Sequence, residues 1–479
     1  MSSAVEKAIR GAVTQAVTKI AEFNRNHRKA DGPNPYLSGI HTPMSTELTL
    51  TDLQVIGTIP PELDGSYVRN GPNPIKPPNP ATHHWFIGTG MVHGVRLQGG
   101  RALWYRNRWI RSLEVSATLG EPPAPGKRTE GFDAPNTNVV SMAGATWAIV
   151  EAGGNPVRLD AELMTVAHDP FGGTLHHAFS AHPHLDPATG EQHAICYHAQ
   201  VQDKVWHVVV GADGRVRREE PIAVQDGPSI HDCMITPRYV IVLDLPVTFS
   251  MKTLLAGHPF PYRWNPQHRA RVGLLPREGR GSETIWCDVD PCYVFHPANA
   301  FETEDGRVIL DACVHDKMFD GAYEGPSSSR VPFERWTIDP VARRVERREI
   351  DAAPQEFPRP NEQLIGRPYR YAYTLALPEG GNPGFLDAPW LYKHDLQTGR
   401  REVHDFGPER VAGEFVFVPR ASAAAEDDGW LMGYVIDRAR DCTELAILDA
   451  ARFEAEPQAR IVIPHRVPPG FHGNWIPAH

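Results

Sequence analysis

The sequence predicts an all-β protein, a propeller or a large closed barrel, carried behind a single N-terminal helix. Three observations lead there. Short β-rich runs alternate with tight-turn signals from about residue 47 to the end of the 479-residue chain. Helical periodicity is clear only once. No apolar stretch reaches the ~18 residues that would suggest a membrane-spanning helix.

The helix comes first. Val5, Ile9, Val13, Val17 and Ile20 recur every three or four residues, with Ala8, Ala12 and Ala16 beside them. Ser3 and Glu6 have the spacing of a capping box. The segment from Asn24 to Pro35 breaks the pattern, so residues 1–33 read as an amphipathic helix with its linker and 34–479 as one β domain. Two readings of the helix follow. It packs on the body of the protein, or it lies on a membrane surface, with Lys7, Arg10 and Lys19 flanking the apolar stripe.

The β domain is read from its turns. Asp64-Gly65, Thr189-Gly190, Asp213-Gly214, Asp305-Gly306, Thr398-Gly399 and Asp428-Gly429 punctuate the chain. Several separate β-branched or aromatic runs, such as Val205 to Val210, Tyr239 to Leu243 and Arg307 to Leu310. Asp-Gly and Thr-Gly between such runs signal hairpins, because the turn needs a residue that tolerates positive φ. Many hairpins without helices suit a propeller or barrel, and no motif recurs at a fixed period. Proline, at 45 residues, is well above its usual share. The stretches from Pro72 to Pro80 and Pro122 to Pro125 read as loops. Residues 246–263 are an apolar insertion with poor strand alternation. It is either a core-packing loop or an exposed apolar patch that docks on a bilayer and admits an apolar substrate.

Bulk charge and cysteine usage narrow the function classes. The net charge of −10 offers no basic face to a nucleic acid. Six scattered cysteines form no C-x-x-C pair, which fits a reducing, cytoplasmic setting rather than a disulfide framework. The N-terminus lacks the pattern of a secretory signal. No nucleophile elbow of the G-x-S-x-G type appears.

Histidine is abundant, at 23 residues. Four lie in strand-edge contexts: His182 before Pro183, His231 after Ile230, His296 before Pro297 and His472 before Gly473. Their gaps of 49, 65 and 176 residues match no local ligand motif but suit a propeller axis, where each blade contributes one residue. By spacing alone they have no better claim than His184 or His315.

The contexts of those four histidines resemble the histidine motifs of the carotenoid cleavage oxygenases. The similarity runs from about residue 34 through Asn34 to Leu37, Gly65 to Pro74, Asn136 to Val139, Glu356 to Arg359, Gly366 to Tyr371 and Gly413 to Pro419. It implies a seven-bladed β-propeller with a dome of loops over an axial iron site. It implies Fe(2+) held by His182, His231, His296 and His472, with Glu151, Glu356 and Glu414 behind the ligands. A carboxylate that accepts from a ligand's second N–H fixes the ring's tautomer and raises its basicity. Nitrogen donors alone do not separate iron from zinc, copper or nickel, so iron rests on the resemblance. So does the role of Thr137, which matches a residue whose methyl group crowds one coordination position.

The implied reaction is oxidative cleavage of a conjugated double bond by O2, giving two carbonyl products in a dry, shaped tunnel. The implied partners are an apolar polyene and O2, with a peripheral membrane contact as a further reading and no nucleic acid. Stilbene-cleaving relatives carry a lysine before the first glutamate and an upstream tyrosine. Here Val150 precedes Glu151, and no tyrosine lies between Val115 and Asn136. A carotenoid or apocarotenoid is therefore favoured over a stilbene, and a non-catalytic polyene-binding propeller is the third reading. The chain departs from the family at Phe86 to Met91, where two acidic residues are missing, and at Phe415, where proline is common. Phe295 and Phe471 precede two of the ligands. Strand alternation would point them away from the site and into the packing between blades.

Overall fold

The turn residues do what their chemistry allows. Gly214 and Gly306 sit at φ +75° and +83°, where a side chain would be strained. They join Val201–Val210 to Val216–Ala223 and Pro297–Glu302 to Val308–Cys313, pairs that run antiparallel. The computed structural model describes residues 4–129, 132–321, 323–379, 386–420 and 425–478, with side chains of the first helix described from residue 15.

The result is an all-β protein with few helices, its sheets arranged as a propeller. Three of the sheets have four antiparallel strands each, beginning at Asn138–Met142, His184–Leu185 and Gln355–Arg359. An eight-stranded sheet spans Cys233–Ile235 to Arg344–Asp351. Among the described residues its two halves pair only through Asp288, parallel to Arg344. A sheet built on Gly429–Asp437 takes up Gln54–Gly57 from the N-terminal side. The C-terminal strand Gly473–Pro477 pairs antiparallel with Gly65–Pro72, Trp475 opposite Tyr67. This closure ties the two ends of the β domain together and carries His472 back to the start of the ring.

Between sheets the core is aromatic and β-branched. Trp336, Trp430, Tyr67 and Tyr105 are fully buried, each contributing on the order of 3 kcal/mol through apolar burial. All six cysteines are buried and free.

Helix α1 covers Ala4–His27; the expected cap at Ser3 lies outside the described residues. The helix packs on the body through Ala21, which is buried, and through two side chains. Asn24 Nδ2 donates to Leu255 O at 2.7 Å and Arg25 Nε donates to Gly257 O at 3.2 Å. Ile20 and Phe23 face outward, 50% and 61% exposed. The insertion at 246–263 is a hairpin, Val247–Phe249 against Tyr262–Trp264, carrying a short helix. That helix, Met251–Leu255, starts where Ser250 Oγ accepts from Thr253 N. Among the described residues no helix is long and apolar enough to cross a membrane.

Candidate metal centre

Each of the four histidines sits at the entry to an edge strand of its sheet. His182 leads into His184–Leu185, His231 into Cys233–Ile235, His296 into Pro297–Glu302 and His472 into Gly473–Pro477. Backbone entering four edge strands of three sheets brings four side chains to one point. All four are buried, and one nitrogen from each lies within 4.8 Å of the others. Ring centroids are 4.4 Å apart for His182 and His231, 4.5 Å for His182 and His472, and 4.8 Å for His296 and His472.

The outer nitrogens decide what the inner ones can do. His296 Nδ1 contacts Glu356 Oε2 at 2.6 Å, His472 Nδ1 contacts Glu414 Oε1 at 3.0 Å, and His231 Nδ1 lies 2.9 Å from Glu151 Oε2. With the proton on Nδ1, each Nε2 presents a lone pair inward. Yet His231 Nε2 and His296 Nε2 are only 3.2 Å apart, and two acceptors cannot hydrogen-bond to each other. His182 Nε2 is buried with no hydrogen-bond partner. Converging, dry lone pairs backed by carboxylates fit a bound cation.

Electrostatics agree with neutral ligands at two positions. Burial pushes His182 well below its ordinary value and holds His472 at about 4. At His231 burial acts downward, but the Glu151 carboxylate outweighs it and raises the pKa. Burial alone would raise both deep carboxylates. His296 and His315 instead hold Glu356 far below the usual range, and Arg359 with His472 holds Glu414 at about 2.

Above this group opens a cavity of about 1250 Å³. Its wall is largely apolar, with Trp85, Phe86, Phe260, Phe295, Phe357 and Phe471 prominent, and His231, His296 and His472 at its floor. Thr137 and Val150 also line it. The Thr137 hydroxyl donates to Asn136 Oδ1 at 3.0 Å, and the Thr137 carbonyl accepts from His472 N at 3.2 Å. Phe295 and Phe471 were expected between blades, but both face the cavity. They stand in irregular backbone before the strands begin, so alternation does not govern them. The insertion resolves the same way, with Phe249, Met251 and Leu254 forming part of the wall beside α1.

A further layer was not legible in the sequence. His315 Nε2 contacts Glu356 Oε1 at 2.9 Å, and His184 Nε2 contacts Asp232 Oδ1 at 2.7 Å. Arg359 Nε donates to Glu414 Oε1 at 3.0 Å. Asp232 Oδ2 is 3.7 Å from His182 Nδ1, where the other three ligands have a glutamate. Adjacency to His231 and His182 was the only available signal for Asp232 and His184; nothing pointed to His315.

The chain is similar to known proteins along nearly its whole length. A family model described as retinal pigment epithelial membrane protein matches residues 41–477. A carotenoid cleavage oxygenase of Mycobacterium tuberculosis is 44% identical, covering 94% of this chain and 98% of its own. An apocarotenoid-15,15'-oxygenase of a Synechocystis strain is 31% identical, covering 94% and 97%. Among solved structures, the lignostilbene dioxygenase of Pseudomonas brassicacearum superposes with a TM-score of 0.83 at 28% identity, covering 94% of this chain and all of that one.

Proposed function

The chain belongs to the carotenoid cleavage oxygenase family, and we propose on that premise that it cleaves a conjugated carbon–carbon double bond of a carotenoid or apocarotenoid with O2. The observation that carries this reading is the convergence of four inward imidazole nitrogens at the floor of a large apolar cavity. His182, His231, His296 and His472 would hold iron(II), with Glu151, Glu356 and Glu414 as the carboxylates behind three of them. Bound iron(II) supplies the activation of dioxygen. The protein does the rest. The phenylalanine walls take up an extended polyene and keep water out. Thr137, anchored to the backbone of His472, restricts one approach to the metal. Atoms balance without a base: an alkene R–CH=CH–R′ and one O2 give R–CHO and R′–CHO.

The same reading extends to architecture. Counting the eight-stranded sheet as two units, joined as they are by one residue pair, gives a seven-bladed propeller domain over residues 34–479, behind an N-terminal helix and linker over 1–33. Exposed Ile20, Phe23 and Met251 lie on α1 and the insertion that border the cavity, which supports peripheral contact with a membrane.

A stilbene is the competing substrate, favoured by the likeness to the lignostilbene enzyme. Against it, uncharged Val150 occupies the wall beside Glu151, so a phenolate would lack a charged partner there. The test is incubation of the iron-loaded protein with carotenoids, apocarotenals and 4-hydroxystilbenes, with mass analysis of the aldehydes. Products from polyenes alone support the proposal. Fast turnover of the stilbene alone overturns the substrate class.

A further inference from the structure

The four histidines form a partition between two unlike cavities. On one side is the apolar chamber already described. On the other lies a second pocket of about 260 Å³, on the far side of the histidine group. Of these two cavities His231 lines the apolar chamber and His182 the second pocket, whereas His296 and His472 face both. The two walls differ in character. The second pocket is bordered by three carboxylates, Asp232, Glu362 and Glu414, against one guanidinium, Arg359. Its rim is exposed at Leu185, 46% accessible, and at Glu362.

A divalent cation reaches a protein with its water. Stripping that shell to cross an apolar chamber ringed by phenylalanines is costly. The second pocket, at about 260 Å³ and ~30 Å³ per water, has room for roughly nine waters, enough for an ion with six. Its excess of carboxylates draws cations inward. At its inner end Asp232 spans the gap. Its Oδ1 accepts from His184 at 2.7 Å, and its Oδ2 lies 3.7 Å from Nδ1 of His182. We propose that this polar pocket is the path by which a hydrated divalent cation enters and leaves the four-histidine site, separate from the apolar chamber that takes the substrate. Division of labour follows: metal exchange proceeds while the chamber is filled, and substrate never crosses the polar side.

This rests on the four-histidine reading of the metal centre, and the experiment separates the two. The full chain is stripped of metal with a chelator and mixed with cobalt(II). Uptake is followed by rapid gel filtration and metal analysis. Leu185 is exposed at the rim and takes no part in binding metal, so Leu185→Lys and Leu185→Glu place opposite charges there with equal disturbance. Met251, 46% exposed in the wall of the apolar chamber, gives the matching pair Met251→Lys and Met251→Glu. We expect Leu185→Glu to load faster than Leu185→Lys by on the order of threefold at 0.15 M salt, and by more at lower salt. The Met251 pair should load at equal rates. Equal rates for the Leu185 pair, or a larger split for the Met251 pair, overturn the polar path while leaving the metal site standing. A protein that takes up no cobalt overturns the four-histidine reading and the path with it.

Discussion

Replacing Glu356 by glutamine tests the centre through its most buried carboxylate. Glu356 is fully inaccessible. Its Oε2 accepts from His296 Nδ1 at 2.6 Å and from Phe357 N at 2.5 Å, and its Oε1 accepts from His315 Nε2 at 2.9 Å. Glutamine has one acceptor oxygen and an NH2 group. Whichever way the amide turns, its NH2 meets a ring N–H. If it faces His296, that ring moves its proton to Nε2 and stops being a ligand. If it faces His315, that ring must change tautomer, and a buried donor left unmatched costs about 1–3 kcal/mol. The metal also loses one of its compensating charges. Losing a carboxylate behind a ligand lowers metal affinity about 10–100-fold, or roughly 1.4–2.8 kcal/mol. The assay is metal binding at buffered free iron(II) under anaerobic conditions, with thermal unfolding of loaded and stripped protein. Glu356→Gln should need at least tenfold more free metal for half occupancy, and loading should raise its Tm less than it raises that of the wild type. Metal affinity within twofold of wild type, with an unchanged Tm increment, would refute the reasoning.

Three further outcomes follow from other parts of the fold. His268 contacts Asp226 Oδ2 at 3.0 Å and Asp244 Oδ1 at 2.9 Å, and although burial acts downward, these carboxylates raise its pKa above the ordinary value. Its stabilisation is therefore complete below about pH 6.5 and lost as pH rises through the folded value, so the Tm gap between wild type and His268→Gln should narrow above neutrality; a gap that widens contradicts this. Gly257 sits at φ +92°, and a Cβ there would stand 2.5 Å from the Arg25 backbone nitrogen. Gly257→Ala should strain that backbone by roughly 1–2 kcal/mol and raise hydrogen exchange along α1, and unchanged exchange would show that the contact does not dock the helix. Phe295 lies with its ring 5.1 Å from that of His231 in the cavity wall. Phe295→Leu should cost about 1 kcal/mol of stability and shift the ratio of aldehyde products at unchanged metal content, and an identical ratio would remove Phe295 from the substrate's path.

Much of the fold was legible because it depends on local chemistry. Asp213-Gly214 and Asp305-Gly306 turn where the backbone needs positive φ, and the runs beside them are strands. The α1 periodicity gave a helix, but not which face docks, since that depends on Asn24 and Arg25 meeting carbonyls more than 200 residues away. The histidine group could not be read from spacing, because its members come from four edge strands of three sheets. The 176-residue gap to His472 closes only through the pairing of Gly473–Pro477 with Gly65–Pro72. Motif context singled those four out. Phe295 and Phe471 were misdirected by alternation that applies only inside strands. Asp232, His184 and His315 stayed hidden because their partners are set by tertiary approach alone.

The most direct test of the account pairs metal content with product analysis for the wild type and His231→Ala. Each protein is loaded with iron(II), freed of excess metal and incubated with an apocarotenal under air. The account predicts about one iron per wild-type chain with two carbonyl products, and loss of both in His231→Ala. Full cleavage by His231→Ala, or by wild-type protein stripped of its metal, would contradict it.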